Sequence, residues 1–186
     1  NDSNGKHIIV AGGTGLVGTQ LCQELLRGGY QVSILSRREG TTREGIPLLP
    51  WSSLDQVITS AYAVINLAGE GIADKRWSPQ RKDAILSSRT DTTARLVQAY
   101  GQAGDRRPGI LVNASAIGIY GSHDGSPVDE KSGVGEGFLS EVCQAWEAAA
   151  NPVSTLGVRL AKVRIGIVLA RSGGALPKMS LPVRFF

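Results

Sequence analysis

The sequence predicts an α/β protein whose core is a doubly wound, mainly parallel β-sheet. Three observations support this fold class: short apolar runs alternate with amphipathic stretches, glycine-rich turns separate many of them, and no internal repeat is visible. The chain has 186 residues, 41% hydrophobic and 19% charged, which is typical of a globular protein with a real core. We therefore expect a single domain over residues 1–186.

The apolar runs predict the strands, and the elements follow in the order β-α-β-(β)-β-α-β-α-β. The expected strands cover residues 7–12, 31–37, 63–69, 109–116 and 158–170, with a shorter one around Leu48 and Leu49. Such alternation of strands and helices indicates a parallel sheet flanked by helices.

The helices are predicted from apolar spacing and end signals. Residues 16–29 place apolar side chains at helical intervals and end in two glycines. A long helix is expected from the N-cap Ser78 and Pro79 to about residue 101, and another over 138–150. Residues 118–136 predict a long loop rich in Gly, Ser, Asp and Pro, and loops of that length usually serve a function.

Composition disfavours several classes of partner. The net charge of +4 is mild and the basic residues are scattered, so we expect no nucleic-acid partner. No apolar run reaches the roughly 18 residues of a membrane span, so we expect no membrane partner. Cys22 and Cys143 lie far apart in helical patterns, which favours buried free thiols and a cytoplasmic location. His7 and His123 lack a second ligand at a telling spacing, so no metal site is expected.

The stretch GGTGLVG matches the glycine fingerprint of a dinucleotide-binding loop. It follows an apolar strand and opens an amphipathic helix, which is the context that the fingerprint requires. The glycines permit a tight turn and close approach to a pyrophosphate, while the helix N-terminus offers N–H groups to the anion. A glycine turn without a ligand is the alternative. The expected cofactor residues in this loop are Gly12, Gly13, Thr14, Gly15, Leu16, Val17 and Gly18.

The end of the second predicted strand favours NADP over NAD. An acidic residue at that position would bind the ribose hydroxyls of NAD, whereas arginine suits the additional phosphate of NADP. The chain has Ser36, Arg37 and Arg38 there, with no acid before Glu39. Arg37 could bind the phosphate through its two-pronged guanidinium. The alternative is that both arginines are solvated surface residues.

With both motifs in view, the chain resembles the short-chain dehydrogenase/reductase superfamily, in its extended, epimerase-like branch. Within that branch it is similar to an atypical subgroup of nucleoside-diphosphate-sugar-epimerase-like proteins. The resemblance rests on the stretches GGTGLVG, SRR, VINLAGEGIADKRW, SSRTDTT, SAIGIYG, WEAAA and VRIGIVL. It implies an NADP-binding Rossmann domain, truncated in this chain because family members continue through a final strand and a small substrate domain.

The resemblance extends the expected cofactor site to other parts of the chain. It implies that Leu67 and Ala68 line the adenine-ribose side, that Arg89 reaches the cofactor, and that Ser115 lies beside the nicotinamide. Gly69 and Glu70 follow in the same loop. Glu70 and the neighbouring residues 75–77 could contact the cofactor or gate the cleft, or pair with each other as a surface salt bridge. Trp51 and Trp77 could wall the cleft or belong to the core.

Short-chain dehydrogenases use a tyrosine with a lysine four residues later, and this dyad is absent. The residues four positions after the four tyrosines are Ile34, Asn66, Gly104 and Asp124. Ser115 and Tyr120 are the remaining candidates for proton transfer, and a phenol needs a nearby cation, for which Lys162 and Arg164 are available. The alternative is that Tyr120 only packs its loop.

Two functions therefore stay open on the sequence. One is an NADP-dependent oxidoreductase or sugar-nucleotide epimerase acting on a small polar substrate. The other is a catalytically silent NADP-binding sensor or scaffold. We also expect an exposed sheet edge and a homodimer.

Overall fold

The structure is a computed structural model that describes residues 5–73, 75–122, 125–170 and 173–176. His123 and the chain beyond residue 176 lie outside the described residues. A seven-stranded sheet forms the centre, in the spatial order β3-β4-β2-β1-β5-β6-β7. All neighbouring pairs in it are parallel except β3 with β4, so the predicted doubly wound sheet is confirmed.

The elements have the following bounds. The strands are β1 His7–Ala11, β2 Gln31–Ser36, β3 Gly40–Thr41, β4 Pro47–Pro50, β5 Ala63–Asn66, β6 Ile110–Ala116, β7 Arg159–Ile165, β8 Leu169–Ala170 and β9 Gly173–Gly174. The helices are α1 Leu16–Arg27, α2 Leu54–Val57, α3 Pro79–Gln102 and α4 Phe138–Ala150. Ser78 caps α3 as predicted, because its Oγ accepts a hydrogen bond from the Arg81 amide at 3.2 Å.

Two predicted strands were too long. Residues 67–69 leave the sheet after β5, because the Ala68 amide turns to the Asn66 side chain. The predicted strand over 158–170 is wrong as a single element: β7 ends at Ile165, and β8 pairs with β9 in a separate hairpin. The Ala175 amide closes that hairpin by donating to the Val168 carbonyl at 2.9 Å. The short strand predicted around Leu48 and Leu49 is confirmed as β4, whereas its hairpin partner β3 and the short helix α2 were not predicted.

Two apolar clusters cover the two faces of the sheet. On one face α1 packs against β1 and β2, around Val10, Cys22 and Ile34. On the other face α3 contributes Leu96 and Tyr100, which are both fully buried. Cys22 and Cys143 are buried free thiols, as predicted. No helix among the described residues is long and apolar enough to cross a bilayer.

A buried polar network ties the carboxyl ends of β5 and β6 to α3. The Asn66 amide donates to Asn113 Oδ1 at 2.7 Å and to Thr93 Oγ1 at 2.9 Å. Asn66 Oδ1 accepts from the Ala68 amide, and Asn113 donates to the Ala114 carbonyl. All three side chains are fully buried, so the hydrogen bonds offset their desolvation. The network fixes the loop that follows β5.

Removal of the central amide tests this network. We expect Asn66→Ala to lower the free energy of unfolding by about 3 kcal/mol, because several buried polar groups lose their partners. Urea denaturation followed by circular dichroism measures the change. Gln102→Ala, at an exposed position on α3, is the control and should change stability by no more than about 0.5 kcal/mol. An Asn66 variant as stable as the control would contradict the role of the network.

Candidate functional site

The candidate site lies at the carboxyl ends of the parallel strands, where the strand order reverses between β1 and β5. Ligands of open α/β sheets bind at such a reversal. The turn after β1 lies against the segment after β5: a Cβ at Gly12 would be 2.7 Å from the Leu67 carbonyl carbon. Gly12 also has a φ of +79°, which favours glycine. The Leu67 amide donates to the Ala11 carbonyl at 2.8 Å, and this holds the two segments together.

The glycines of the loop have different surroundings. A Cβ at Gly18 would lie 2.3 Å from the Gly12 carbonyl oxygen, and one at Gly13 would lie 2.6 Å from the Ile34 side chain. These two glycines are therefore required by packing inside the protein. At Gly15, the one described atom that a Cβ would meet outside the neighbouring residues is the Gly12 carbonyl oxygen, at 3.4 Å, which is an ordinary contact. The chain's own packing gives no reason for glycine at this position, so its space is available to a ligand.

The amino end of α1 is suited to an anion. No side chain caps this helix, and its first turn contains no acidic residue. The unpaired N–H groups and the helix dipole therefore favour negative charge beside the glycine loop. Thr14, Gly15, Leu16 and Val17 are exposed there. The predicted loop residues are thus brought together around one helix terminus.

The end of β2 presents two available arginines. Ser36 Oγ accepts a hydrogen bond from the Arg38 amide at 3.0 Å, which shapes the turn after the strand. The side chains of Arg37 and Arg38 are exposed, and within the described ranges neither makes a side-chain hydrogen bond or ion pair. They are therefore free to bind an anionic ligand, and equally fit solvated surface residues.

The β3–β4 hairpin forms a wall beside the glycine loop. A cavity of about 360 Å³ lies between them, and its lining includes Gly13, Thr14, Thr42 and Arg43. Thr42 closes the hairpin turn, because its amide and its Oγ1 bond to the Ile46 backbone. Only β4 of this wall was predicted, around Leu48 and Leu49, because the two-residue strand β3 is too short to show periodicity.

The loop after β5 is fastened to α3 through Glu70. Its carboxylate accepts from Arg81 Nη1 at 2.8 Å, its amide donates to Ser88 Oγ at 3.0 Å, and its carbonyl accepts from Arg89 Nη2 at 3.1 Å. The predicted alternative, a salt bridge between Glu70 and residues 75–77, is wrong because Arg81 takes that place. Glu70 thus holds the loop that carries Leu67, Ala68 and Gly69 beside the glycine turn.

Arg89 is held inside the same region. It donates to the Ile85 carbonyl at 2.9 Å, and its guanidinium lies 5.1 Å from the centre of the Trp146 ring. Burial lowers the pKa of Arg89, while the neighbouring Cys143 and Glu70 oppose that effect. Arg89 therefore places a positive charge between the loop after β5 and α4.

The two tryptophans named from the sequence have different positions. Trp51 is half-buried against the main apolar cluster, so it belongs to the core. Trp77 is exposed, donates from its indole to the Ile72 carbonyl, and meets Phe138 edge to face at 5.2 Å. Trp77 thus joins the loop after β5 to the start of α4.

Ser115 lies at the end of β6, directly opposite Arg164 of β7. The residue is 2% exposed, and its Oγ has no hydrogen-bond partner. The hydroxyl lies near Cys143 and Glu147 without the geometry of a hydrogen bond to either. Burial raises the pKa of the Cys143 thiol. An unpaired buried hydroxyl is costly, and it is available to a ligand oxygen.

Tyr120 is fixed in a short 3-10 turn directly after β6. The Gly135 amide donates to the Ile119 carbonyl, and a Cβ at Gly135 would lie 2.1 Å from the Tyr120 carbonyl oxygen. The long loop thus folds back onto this turn. The phenol oxygen accepts from Arg164 Nη1 at 2.8 Å, so Arg164 is the nearby cation that the sequence analysis sought.

The helix α4 contains neither a tyrosine nor a lysine. It instead contributes Glu147, a buried carboxylate that accepts from two nitrogens of Arg164. No role was predicted for Glu147 from the sequence. The available signal was a single acid within the apolar helix AWEAAA, since buried carboxylates usually need a partner.

The chain is similar to known proteins along most of its length. The model of the NAD dependent epimerase/dehydratase family matches residues 8–151. The epimerase family protein SSP1921 of Staphylococcus saprophyticus is 36% identical, and the match covers 97% of this chain and 61% of that protein. The chain therefore spans about three fifths of this relative.

Two solved structures of other proteins share this fold and about a third of the sequence. The human epimerase family protein SDR39U1 (isoform 2), solved with NADPH, is 34% identical with a TM-score of 0.82, over 96% of this chain and 60% of that one. A nucleoside-diphosphate sugar epimerase from Corynebacterium glutamicum is 32% identical with a TM-score of 0.80, over 96% of this chain and 38% of that one.

Two alanine substitutions separate packing from ligand binding in the glycine loop. We expect Gly15→Ala to leave the free energy of unfolding nearly unchanged, because its Cβ has room, and to weaken NADPH binding tenfold or more by blocking close approach, an estimate of about 1.4 kcal/mol. Gly18→Ala should destabilise the fold, because its Cβ meets the loop backbone. Urea denaturation and fluorescence titration with NADPH measure both effects. Unchanged NADPH binding in a folded Gly15→Ala variant would contradict this assignment.

Proposed function

Since the chain belongs to the NAD dependent epimerase/dehydratase family, we propose that it binds NADP(H) and acts as an oxidoreductase or sugar-nucleotide epimerase on a small polar substrate. The observation that carries this proposal is the glycine loop, which opens onto the uncapped amino end of α1 beside two free arginines. The chain matches only part of the length of each relative. Any activity of a longer protein that contains this chain is therefore also a proposal.

The proposed cofactor residues follow the crevice. The glycine loop and the amino end of α1 would hold the pyrophosphate, with Leu67 and Ala68 on the adenine-ribose side. Ser36, Arg37 and Arg38 would bind the additional phosphate of NADP, since no acid ends β2 to favour NAD. NADPH in the human relative supports this choice. Gly69, Glu70 and Arg89 would complete the site.

The chemistry proposed for the site is proton transfer at a substrate oxygen. A bound nicotinamide would supply hydride exchange at the carbon that carries this oxygen. The Ser115 hydroxyl is buried and unpaired, so it can donate a hydrogen bond to the oxygen. The Tyr120 phenol can give or take the proton, because a cation lies beside it. Ser115 lies at the end of β6 and Tyr120 lies in the turn directly after it, so both are close to the crevice.

The second candidate function is an NADP-binding sensor or scaffold without turnover. The absence of a tyrosine and lysine pair from α4 favours it. Both functions need the same cofactor, so they separate on whether NADPH is consumed. In either case we propose a small-molecule ligand rather than a nucleic acid or a membrane, and the free cysteines favour the cytoplasm as the location.

Cofactor titration tests the proposal. We expect Arg37→Ala to weaken NADPH binding by about tenfold and to leave NADH binding nearly unchanged, because only NADPH carries the additional phosphate. Fluorescence of the bound nicotinamide measures both constants. Arg106→Ala, an exposed arginine at the opposite end of the sheet, is the matched control. Equal affinity of the unaltered protein for the two cofactors would overturn the preference for NADP, and no affinity for either would overturn the function.

We also propose that the chain forms a homodimer at the β7 edge of the sheet. Among the described strands β7 pairs only with β6, and Val163 within β7 is 45% exposed. An unpaired edge with exposed apolar side chains tends to associate. Val163→Lys should shift the protein toward the monomer in sedimentation velocity, whereas Leu26→Lys, at an exposed apolar position on α1, should not. A monomer at all concentrations would contradict the dimer.

A further inference from the structure

Arg164 connects three parts of the fold at the end of β7. Its Nε donates to Glu147 Oε1 at 2.9 Å and its Nη2 donates to Glu147 Oε2 at 3.2 Å. Its Nη1 donates to the Tyr120 phenol at 2.8 Å and to the Glu130 carbonyl at 3.3 Å. A guanidinium has a rigid planar fork, so holding one side of it on the carboxylate aims the other side at the phenol.

The carboxylate that holds the fork is itself well fixed. Glu147 is 6% exposed on α4, and Lys162 of β7 lies 3.6 Å from its Oε2. Burial raises the pKa of Glu147, but the neighbouring Arg164, Ser115 and Lys162 together outweigh that effect and the pKa lies below the ordinary value. Hydrogen bonds to Glu147 and to Tyr120 raise the pKa of Arg164. Both groups are therefore charged around neutral pH.

The direction of the third hydrogen bond has a chemical consequence. A guanidinium donates hydrogen bonds and cannot accept them, so the phenol oxygen of Tyr120 must be the acceptor. The phenol's own hydrogen then points elsewhere, and no described residue accepts it. The charged guanidinium lies in direct hydrogen-bond contact with the phenol oxygen. Arg164 thus leaves the phenol proton available to another molecule.

We propose that Arg164, held by Glu147, is a positioning residue that gives Tyr120 the electrostatic support a lysine gives in the Tyr-x-x-x-Lys dyad. The cation comes from β7 and the acid from α4, instead of a lysine one turn along the tyrosine's own helix. The proposal rests on the proposed function, because it assigns Tyr120 the proton step. It replaces only the lysine's charge, and it assigns no contact between Arg164 and a cofactor.

A purely structural ion pair would join α4 to β7 and leave Tyr120 unaffected. Two observations favour the wider role. The guanidinium makes its bond to the phenol in addition to the two that satisfy Glu147. The backbone of Tyr120 is also fixed independently, since Gly135 packs against its carbonyl. Among the described residues, the titratable groups around the cluster also include Cys143 on α4 and Lys162 on β7, with Arg89 of α3 beyond Cys143.

Ultraviolet absorbance of the phenolate tests the proposal without cofactor or substrate. The spectrum of the full chain minus that of Tyr120→Phe isolates the signal of Tyr120. At a fixed alkaline pH, we expect Arg164→Gln to lower the ratio of phenolate to phenol by about tenfold or more, as loss of a neighbouring opposite charge predicts. Arg164→Lys keeps the charge without the fork and should give an intermediate ratio. Glu147→Gln removes the clamp together with a negative charge that opposes the phenolate, so it should change the ratio less than Arg164→Gln does.

Lys162→Gln is the matched control, because Lys162 contacts Glu147 and makes no bond to Tyr120. Its ratio should stay within about threefold of the unaltered protein, since it is the more distant charge. A ratio in Arg164→Gln equal to that of the unaltered protein would overturn the proposal, as would an equal loss in Lys162→Gln. If Arg164→Gln does not fold, Arg164→Lys decides the same question. NADPH titration of the unaltered protein tests the proposed function separately, so the two can fail independently.

Discussion

The candidate site depends on one close approach of two backbones, the turn after β1 and the segment after β5. Gly12 comes so near Leu67 that a Cβ would overlap its carbonyl, and Gly18 meets Gly12 just as closely inside the turn. Neither contact leaves room for a side chain. Glycine at these two positions therefore allows the turn to lie where the strand order reverses. The uncapped amino end of α1 then faces the crevice, and a ligand there meets N–H groups instead of side chains.

Some polar groups around this crevice have hydrogen-bond partners inside the protein, and others have none there. Asn66, Asn113 and Glu70 find their hydrogen bonds inside the protein and hold the loops in place. Ser115, Arg37 and Arg38 lie at the same end of the sheet, and their side-chain donors have no partner in the described part of the chain. Since buried polar groups are normally paired, the unpaired Ser115 hydroxyl is the group that would pair with a substrate oxygen in the proposed function.

The folded chain contains another arrangement of charged groups around a tyrosine, although the tyrosine and lysine dyad is missing. A tyrosine and a lysine one helical turn apart are visible in any sequence, and this chain lacks them. The structure instead brings a phenol, a guanidinium and a carboxylate together from the turn after β6, from β7 and from α4. Such a set can provide the same charge beside a phenol, and no spacing along the chain reveals it.

The amino-acid sequence was enough to predict the doubly wound sheet, the glycine-rich turn, the capped start of α3 and the arginines after β2, because each signal lies within a few consecutive residues. It did not predict β3, which is too short to show periodicity, and it joined β7 to β8 because the apolar run continues through the break. The pairing of Glu70 with Arg81 and the contacts of Arg164 with Glu147 and Tyr120 are visible only in the folded chain. Those contacts depend on the register of β7 against β6 and on the packing of α4 on the sheet, which bring together residues far apart along the chain.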